Sequence, residues 1–110
     1  THVVALENGE IREFEVAPEE AGIARSTLAD LKGGSPEENA VALKAVLAGQ
    51  QGAYRDIVLY NTAAALLIAD KVDDLKAGVA AAAEAIDSGA AQKKLDHLVS
   101  ITNAKAPARP

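Results

Sequence analysis

At 110 residues the chain has room for one domain with a modest core. Sixteen Asp and Glu against eleven Lys and Arg give a formal net charge of −5 with no basic block, so neither nucleic acid nor a membrane is an expected partner. The absence of cysteine excludes a disulfide framework, a thiolate nucleophile and a zinc ribbon and makes the cytoplasm the expected location, while 3% aromatic content leaves Leu, Ile, Val and Ala to build the core.

The chain carries no methionine, and Thr1 leads straight into an apolar run without the basic region of a signal peptide, which reads as a cut N-terminus. His2 to Leu6 and Ile11 to Val16 are rich in β-branched residues and flank Asn8-Gly9, the dipeptide that best tolerates the positive φ angles of a two-residue hairpin turn. With that turn at the tip, Leu6 faces Ile11 and Val3 faces Phe14, at the cost of Glu7 opposite Glu10. Both faces of this hairpin carry apolar side chains, so it needs more sheet or a helical layer over it.

Pro18 to Gly22 reads as a single helical turn, with proline first, acids at the positive end and glycine as stop. Ser26 to Leu31 is expected to form a second short helix. At Ser35-Pro36-Glu37-Glu38 the sequence predicts a capping box, with Ser35 accepting from the Glu38 amide and Glu38 reaching back to the Ser35 amide. The helix it opens is expected to run to about Ala48, with Val41, Ala42, Ala45 and Val46 on one face. Tyr54 to about Ala69 is apolar almost all round after Arg55-Asp56, the pattern of an enclosed core helix. Its uncharged stretch from Ile57 to Ala69 is too short to span a membrane. Asp73 or Asp74 is expected to cap a further helix through the alanine run to Asp87, and Ala90 to about Thr102 forms an amphipathic helix with Ala91, Leu95, Leu98, Val99 and Thr102 on one stripe. Residues 104–110 are expected to be a disordered tail.

Few positions suggest chemistry. Gly33-Gly34-Ser35 before a helix start has the outline of an anion site, but it lacks a lysine, loses a donor at Pro36 and carries two glutamates, so a structural cap is the preferred reading. His2 and His97 stand alone without metal-ligand spacing, and His97 is expected in water. The acid pairs Glu19-Glu20 and Asp73-Asp74 sit where helix starts favour acids, which outweighs a magnesium role. Ser88 lacks a nucleophile elbow and reads as a cap. Asn61, midway along the most apolar helix, is expected to be a buried amide tied to backbone, with support of a neighbouring substrate loop as the sharper reading.

The stretch Gly33-Gly34-Ser35-Pro36-Glu37-Glu38-Asn39-Ala40 resembles the Gly-Gly, acid, Glu-Asn-Ala segment near the C-terminal end of anthranilate phosphoribosyltransferases. Three further pieces fall in the same order. Asn8-Gly9 followed by Pro18 to Gly22 is similar to that family's hairpin and Pro-Glu-Asp-Phe-Gly segment, with Glu20 and Ala21 in place of its aspartate and aromatic. Arg55-Asp56 followed by Tyr60 to Leu66 looks like its Leu-Asn-Ala helix. Ala85 to Ala91 resembles its Ser-Gly-Lys-Ala turn, with Ala90 where lysine is common.

The resemblance implies an enzyme of tryptophan biosynthesis that joins anthranilate to the ribose of phosphoribosyl diphosphate with magnesium, as a homodimer. Its implied fold is an α+β fragment, mainly helical, with an N-terminal hairpin and about four helices: residues 1–103 would be the C-terminal part of a large α/β phosphoribosyltransferase or nucleoside-phosphorylase-like domain. The family's Gly-Thr-Gly-Gly-Asp loop, Lys-His-Gly-Asn stretch, anthranilate-contacting arginine and Asp-Glu metal pair are all absent from these residues. No catalytic, cofactor-binding or metal-ligating residue is therefore assigned, and the segment alone is expected to be inactive and to self-associate through exposed apolar surface. The alternatives are a segment of a related nucleoside phosphorylase and a non-catalytic helical interaction module.

Overall fold

The computed structural model describes residues 1–104, so the expected tail falls, beyond Ala104, outside the described residues. Strands β1 (His2–Glu7) and β2 (Glu10–Glu15) form an antiparallel pair in the register read from the sequence: Leu6 opposite Ile11, Val3 opposite Phe14 and Glu7 opposite Glu10. Asn8 and Gly9 both take positive φ, 53° and 79°, as a type I′ turn demands. Thr1 and Val16 exchange hydrogen bonds at the open end, at 2.7 and 2.9 Å. The ladder alternates from there, which makes Val3–Phe14 and Ala5–Arg12 hydrogen-bonded pairs and turns the backbone groups of His2, Val4 and Leu6 outward.

The turn at Pro18–Ala21 is a 3-10 helix whose start is closed by the Glu20 carboxylate, which accepts from the Ala17 amide at 2.7 Å. A second 3-10 turn occupies Leu28–Leu31, shorter than expected. It begins after Thr27 because Thr27 and Asp30 close a reciprocal box there, each side chain accepting from the other's amide.

Helix α1 spans Pro36–Leu47, and the Ser35 hydroxyl accepts from the Glu38 amide at 3.2 Å. The reciprocal half of the expected box is not made. Glu38 takes a hydrogen bond from the Ser35 hydroxyl instead, at 3.3 Å. The expected apolar face also needs correcting, because Val46 is buried while Val41 is 69% exposed. At roughly 100° per residue the two stand about 140° apart, too far to share one contact line, whereas Ala42 lies close to Val46.

Helices α2 (Ala53–Ile68) and α3 (Leu75–Asp87) form the centre of the molecule. Their buried positions fall every fourth residue, Arg55, Leu59 and Ala63 on α2 against Gly78, Ala82 and Ile86 on α3. The helices run antiparallel, with Arg55 meeting Asp87 at one end and Ala63 meeting Gly78 at the other. Gly78 permits the approach: a Cβ there would stand 2.7 Å from the Ala63 Cα. Ile23 and Val46 complete the core cluster. Asp74 caps α3 by accepting from the Ala77 amide at 2.7 Å.

Helix α2 is not enclosed, contrary to the sequence expectation. Its far side carries Ile57 and Val58 at more than a third exposed and Ile68 at 85%. The cause lies in the packing partners, since α3 covers one flank and the hairpin stands apart from the helices. Helix α4 (Ala90–Thr102) follows the turn at Ser88 and Gly89 and leans on α3 through Ala91. The rest of its expected stripe is only half covered at Leu95 and open at Leu98 and Val99. A radius of gyration of 16.8 Å exceeds the ~13 Å of a compact domain of this length. Among the described residues no helix is long and apolar enough to cross a membrane.

Candidate functional site

Among the described residues one ion pair, Arg55–Asp87, ties two helices together. Arg55 is 5% exposed and donates two hydrogen bonds to the Asp87 carboxylate, at 2.9 and 3.0 Å, tying the start of α2 to the end of α3. The guanidinium holds the Asp87 carboxyl below its ordinary value, and the carboxylate in turn raises Arg55. Sequence reading placed Arg55 only at the polar start of a helix. Its signal was the four-residue step to Leu59 and Ala63, which puts it on the inward line.

A second strut joins Glu19 to Arg25 through two hydrogen bonds, at 2.9 and 3.2 Å. The Arg25 guanidinium, assisted by local backbone, brings the Glu19 carboxyl down from 4.5 to about 2. Glu20 is occupied with the Ala17 amide and Asp74 with that of Ala77, so one member of each acid pair acts at a helix start. Among the described residues no three His, Cys, Asp or Glu side chains are grouped to hold a metal ion. His97 is exposed on α4, and His2 lies on the hairpin with Glu13 at 3.9 Å.

The Gly33-Gly34 segment is closed by Asn39, a residue that the cap reading did not include. The Asn39 side chain accepts from the Gly34 amide at 2.8 Å and donates to the Gly34 carbonyl at 3.2 Å. With Ser35 capping α1, this leaves the loop a structural clasp. Ser88 likewise caps, accepting from the Ala90 amide and donating to the Ala85 carbonyl.

Two concave regions flank α2. One, of about 140 Å³, is lined by Thr1, Ile23, Asp56, Ile57, Tyr60 and Asn61 among others. The Tyr60 hydroxyl is buried with no hydrogen-bond partner among the described residues. Burial raises its pKa, with Glu20 and Glu19 adding to the effect. Asn61 is exposed on the rim of this cleft, which overturns the expectation of a buried amide: it lies two residues round from the Leu59 line, on the side α3 does not cover. The other region, about 290 Å³, lies between α1 and α2 against Gly33, with Leu43, Val46, Tyr54 and Val58 in its wall. Tyr54 closes one edge by donating to the Lys32 carbonyl. Both regions are predominantly apolar.

Comparison with known proteins gives this scaffold a context. The family described as "Glycosyl transferase family, a/b domain" matches residues 1–92. The anthranilate phosphoribosyltransferase of Methylocella silvestris is 57% identical over 103 residues, covering 94% of this chain and 30% of that protein. Those of Parvibaculum lavamentivorans and Bradyrhizobium diazoefficiens are 56% and 53% identical over the same length, again 94% of this chain, and 30% and 31% of their own. The chain thus spans about 30% of the length of these relatives.

Proposed function

Because the chain belongs to the glycosyl transferase family, as part of its a/b domain, we propose that it is the C-terminal structural segment of an enzyme transferring phosphoribosyl from phosphoribosyl diphosphate to anthranilate in tryptophan biosynthesis. The observation that carries this reading is identity of more than half over 94% of the chain to relatives of that name. Residues 1–103 are the part of the large domain, and their task is to hold it in shape. The struts and caps support a scaffold: Arg55, Glu19, Glu20, Asn39 and Asp74 each spend their polar groups within the chain.

Magnesium serves the whole enzyme in this reading. The acids here do not offer it a ligand set, since one member of each pair closes a helix start and Glu19 is held by Arg25. The whole enzyme is a cytoplasmic homodimer, and the isolated segment self-associates through its open apolar side chains, among them Leu6, Ile11 and Ile68.

The test is a chimera in which this chain replaces the matching residues of the Methylocella silvestris protein, assayed with anthranilate, phosphoribosyl diphosphate and magnesium beside the isolated chain. Transfer by the chimera and none by the segment is the expected outcome. Turnover by the segment alone would overturn the scaffold role, and a folded chimera without transfer would overturn the substrate assignment.

A further inference from the structure

Of the asparagines Asn8, Asn39, Asn61 and Asn103, only Asn8 is followed by glycine. Asn39 and Asn103 hold their carboxamides in hydrogen bonds to backbone, and Asn39 and Asn61 lie within helices. Asn8 sits at the tip of the hairpin, where Glu7, Gly9 and Glu10 are exposed with it and a side chain at Gly9 would meet nothing within 4 Å. Its φ is 53°, on the left-handed side that an L-residue reaches only at a cost. In the type I′ turn its ψ is about 30°, which points the Gly9 nitrogen away from the Asn8 side chain. Turning the one peptide plane between Asn8 and Gly9 gives a type II′ turn, which keeps that φ and carries ψ to about −120°. The Gly9 nitrogen then eclipses the Asn8 Cβ and lies beside the side-chain carbonyl carbon, Cγ. A type II′ turn favours glycine at its first position, so Asn8 passes through this state rather than resting in it. Both turns join antiparallel strands, and the ladder stays paired through the flip. Its last pair is Glu7 with Glu10, which leaves the Gly9 amide outside the ladder.

We propose that Asn8-Gly9 is a self-modification site, at which the folded hairpin converts the Asn8 carboxamide into a carboxylate through a cyclic imide. The Gly9 nitrogen attacks Asn8 Cγ and a new N–Cγ bond forms, while the carboxamide nitrogen leaves as ammonia, carrying the proton that Gly9 gave up. Water then opens the ring. Addition at Cγ restores the ordinary backbone with an aspartyl side chain. Addition at the Asn8 backbone carbonyl breaks its bond to the Gly9 nitrogen instead, and the chain then runs through the side chain as an isoaspartyl link with a free α-carboxylate. The reactants are the chain and water alone. Either product puts a carboxylate between Glu7 and Glu10, which already oppose one another with Arg12 3.6 Å from Glu7 as the cation beside them. The isoaspartyl link also adds a methylene to a turn whose length sets the strand register. Conversion loosens the hairpin and leaves α2 and α3 as they are, because no helix packs on the ribbon to any extent.

The test is peptide mapping by mass spectrometry of the full 110-residue chain, kept dilute at mildly alkaline pH, with amide hydrogen exchange followed in parallel. Asn8 is expected to convert at least about tenfold faster than Asn39, Asn61 and Asn103, which have first to leave right-handed backbone for positive φ. The rate is expected to climb with pH, since the nucleophile is the deprotonated Gly9 amide, and isoaspartyl product to appear beside aspartyl. Gly9→Val shields that nitrogen while loosening the turn, and is expected to slow conversion by about tenfold. Gly78→Ala weakens the helical core alone and is expected to leave the rate unchanged. In the converted chain, separated by its added charge, the Val3 and Phe14 amides are expected to exchange about tenfold faster with Leu59 unchanged. Conversion of Asn8 no faster than that of the other three overturns the proposal, as does aspartyl product without isoaspartyl, because direct hydrolysis needs no ring. Faster conversion in Gly9→Val or in Gly78→Ala overturns it too, since ring closure would then wait for unfolding. So do Val3 and Phe14 amides that are unprotected before conversion or undisturbed after it.

Discussion

Gly78 shows how one missing side chain sets a helix spacing. An added methyl would stand 2.7 Å from both the Cα and the Cβ of Ala63, and backbone on α2 cannot move aside as a flexible side chain would. Gly78→Ala therefore gains helix propensity but overpacks the seam, and a net loss of about 1–2 kcal/mol is expected by chemical denaturation. The Arg55–Asp87 strut behaves differently. Asp87→Leu leaves a guanidinium buried without a partner, whereas removing both charges leaves none. The double variant Arg55→Met/Asp87→Leu is therefore expected to melt nearer the parent than Asp87→Leu alone in a thermal scan. Glu19 makes a pH prediction. Its carboxyl is lowered to about 2, so the pair with Arg25 contributes fully above the ordinary value of 4.5 and is lost as pH falls toward 2. Arg25→Ala is expected to return Glu19 toward its ordinary titration, read by carboxyl NMR. At this scale the caps Ser35 and Asp74 were legible because their partners lie three residues away. Arg55, Asn39 and Asn61 were misread or missed, since what decides each is a neighbour set by packing or by loop closure.

Elements were legible where local chemistry closes them. The Asn8-Gly9 turn brings both strands into the expected register despite Glu7 facing Glu10, because the two left-handed residues and the pairs Val3–Phe14 and Leu6–Ile11 outweigh one exposed like-charge contact. Gly9→Val forces a β-branched residue to a φ of 79° and is expected to cost about 1–2 kcal/mol locally, seen as faster exchange in the hairpin with α2 unaffected. Ser35→Ala removes the oxygen that accepts from Glu38 and is expected to lower stability by about 1 kcal/mol, read as a drop in the denaturation midpoint. The helix faces were less legible. Periodicity assigns a stripe, but only the neighbours decide how much of it is covered, which is why Val41 on α1 and Leu98 and Val99 on α4 remain in water.

For the molecule as a whole, open apolar surface is the dominant feature. Val4, Leu6, Ile11, Leu28, Val41 and Ile68 are all at least 60% exposed, and the core cluster itself has only five buried members. The isolated chain is expected to show apparent mass rising with concentration in light scattering, and a monodisperse monomer at high concentration would argue against that surface being adhesive. Composition, turn chemistry, caps and the order of four short motifs were enough to determine the element sequence and the kinship of the chain, because each depends on residues within a few positions of one another. Tertiary structure alone decided that α2 is half open, that Arg55 is buried against Asp87, that Asn61 faces a cleft and that the hairpin stands apart with β1 uncovered. These are outcomes of which surfaces meet, and an apolar side chain looks the same in sequence whether its partner is present or still to be supplied.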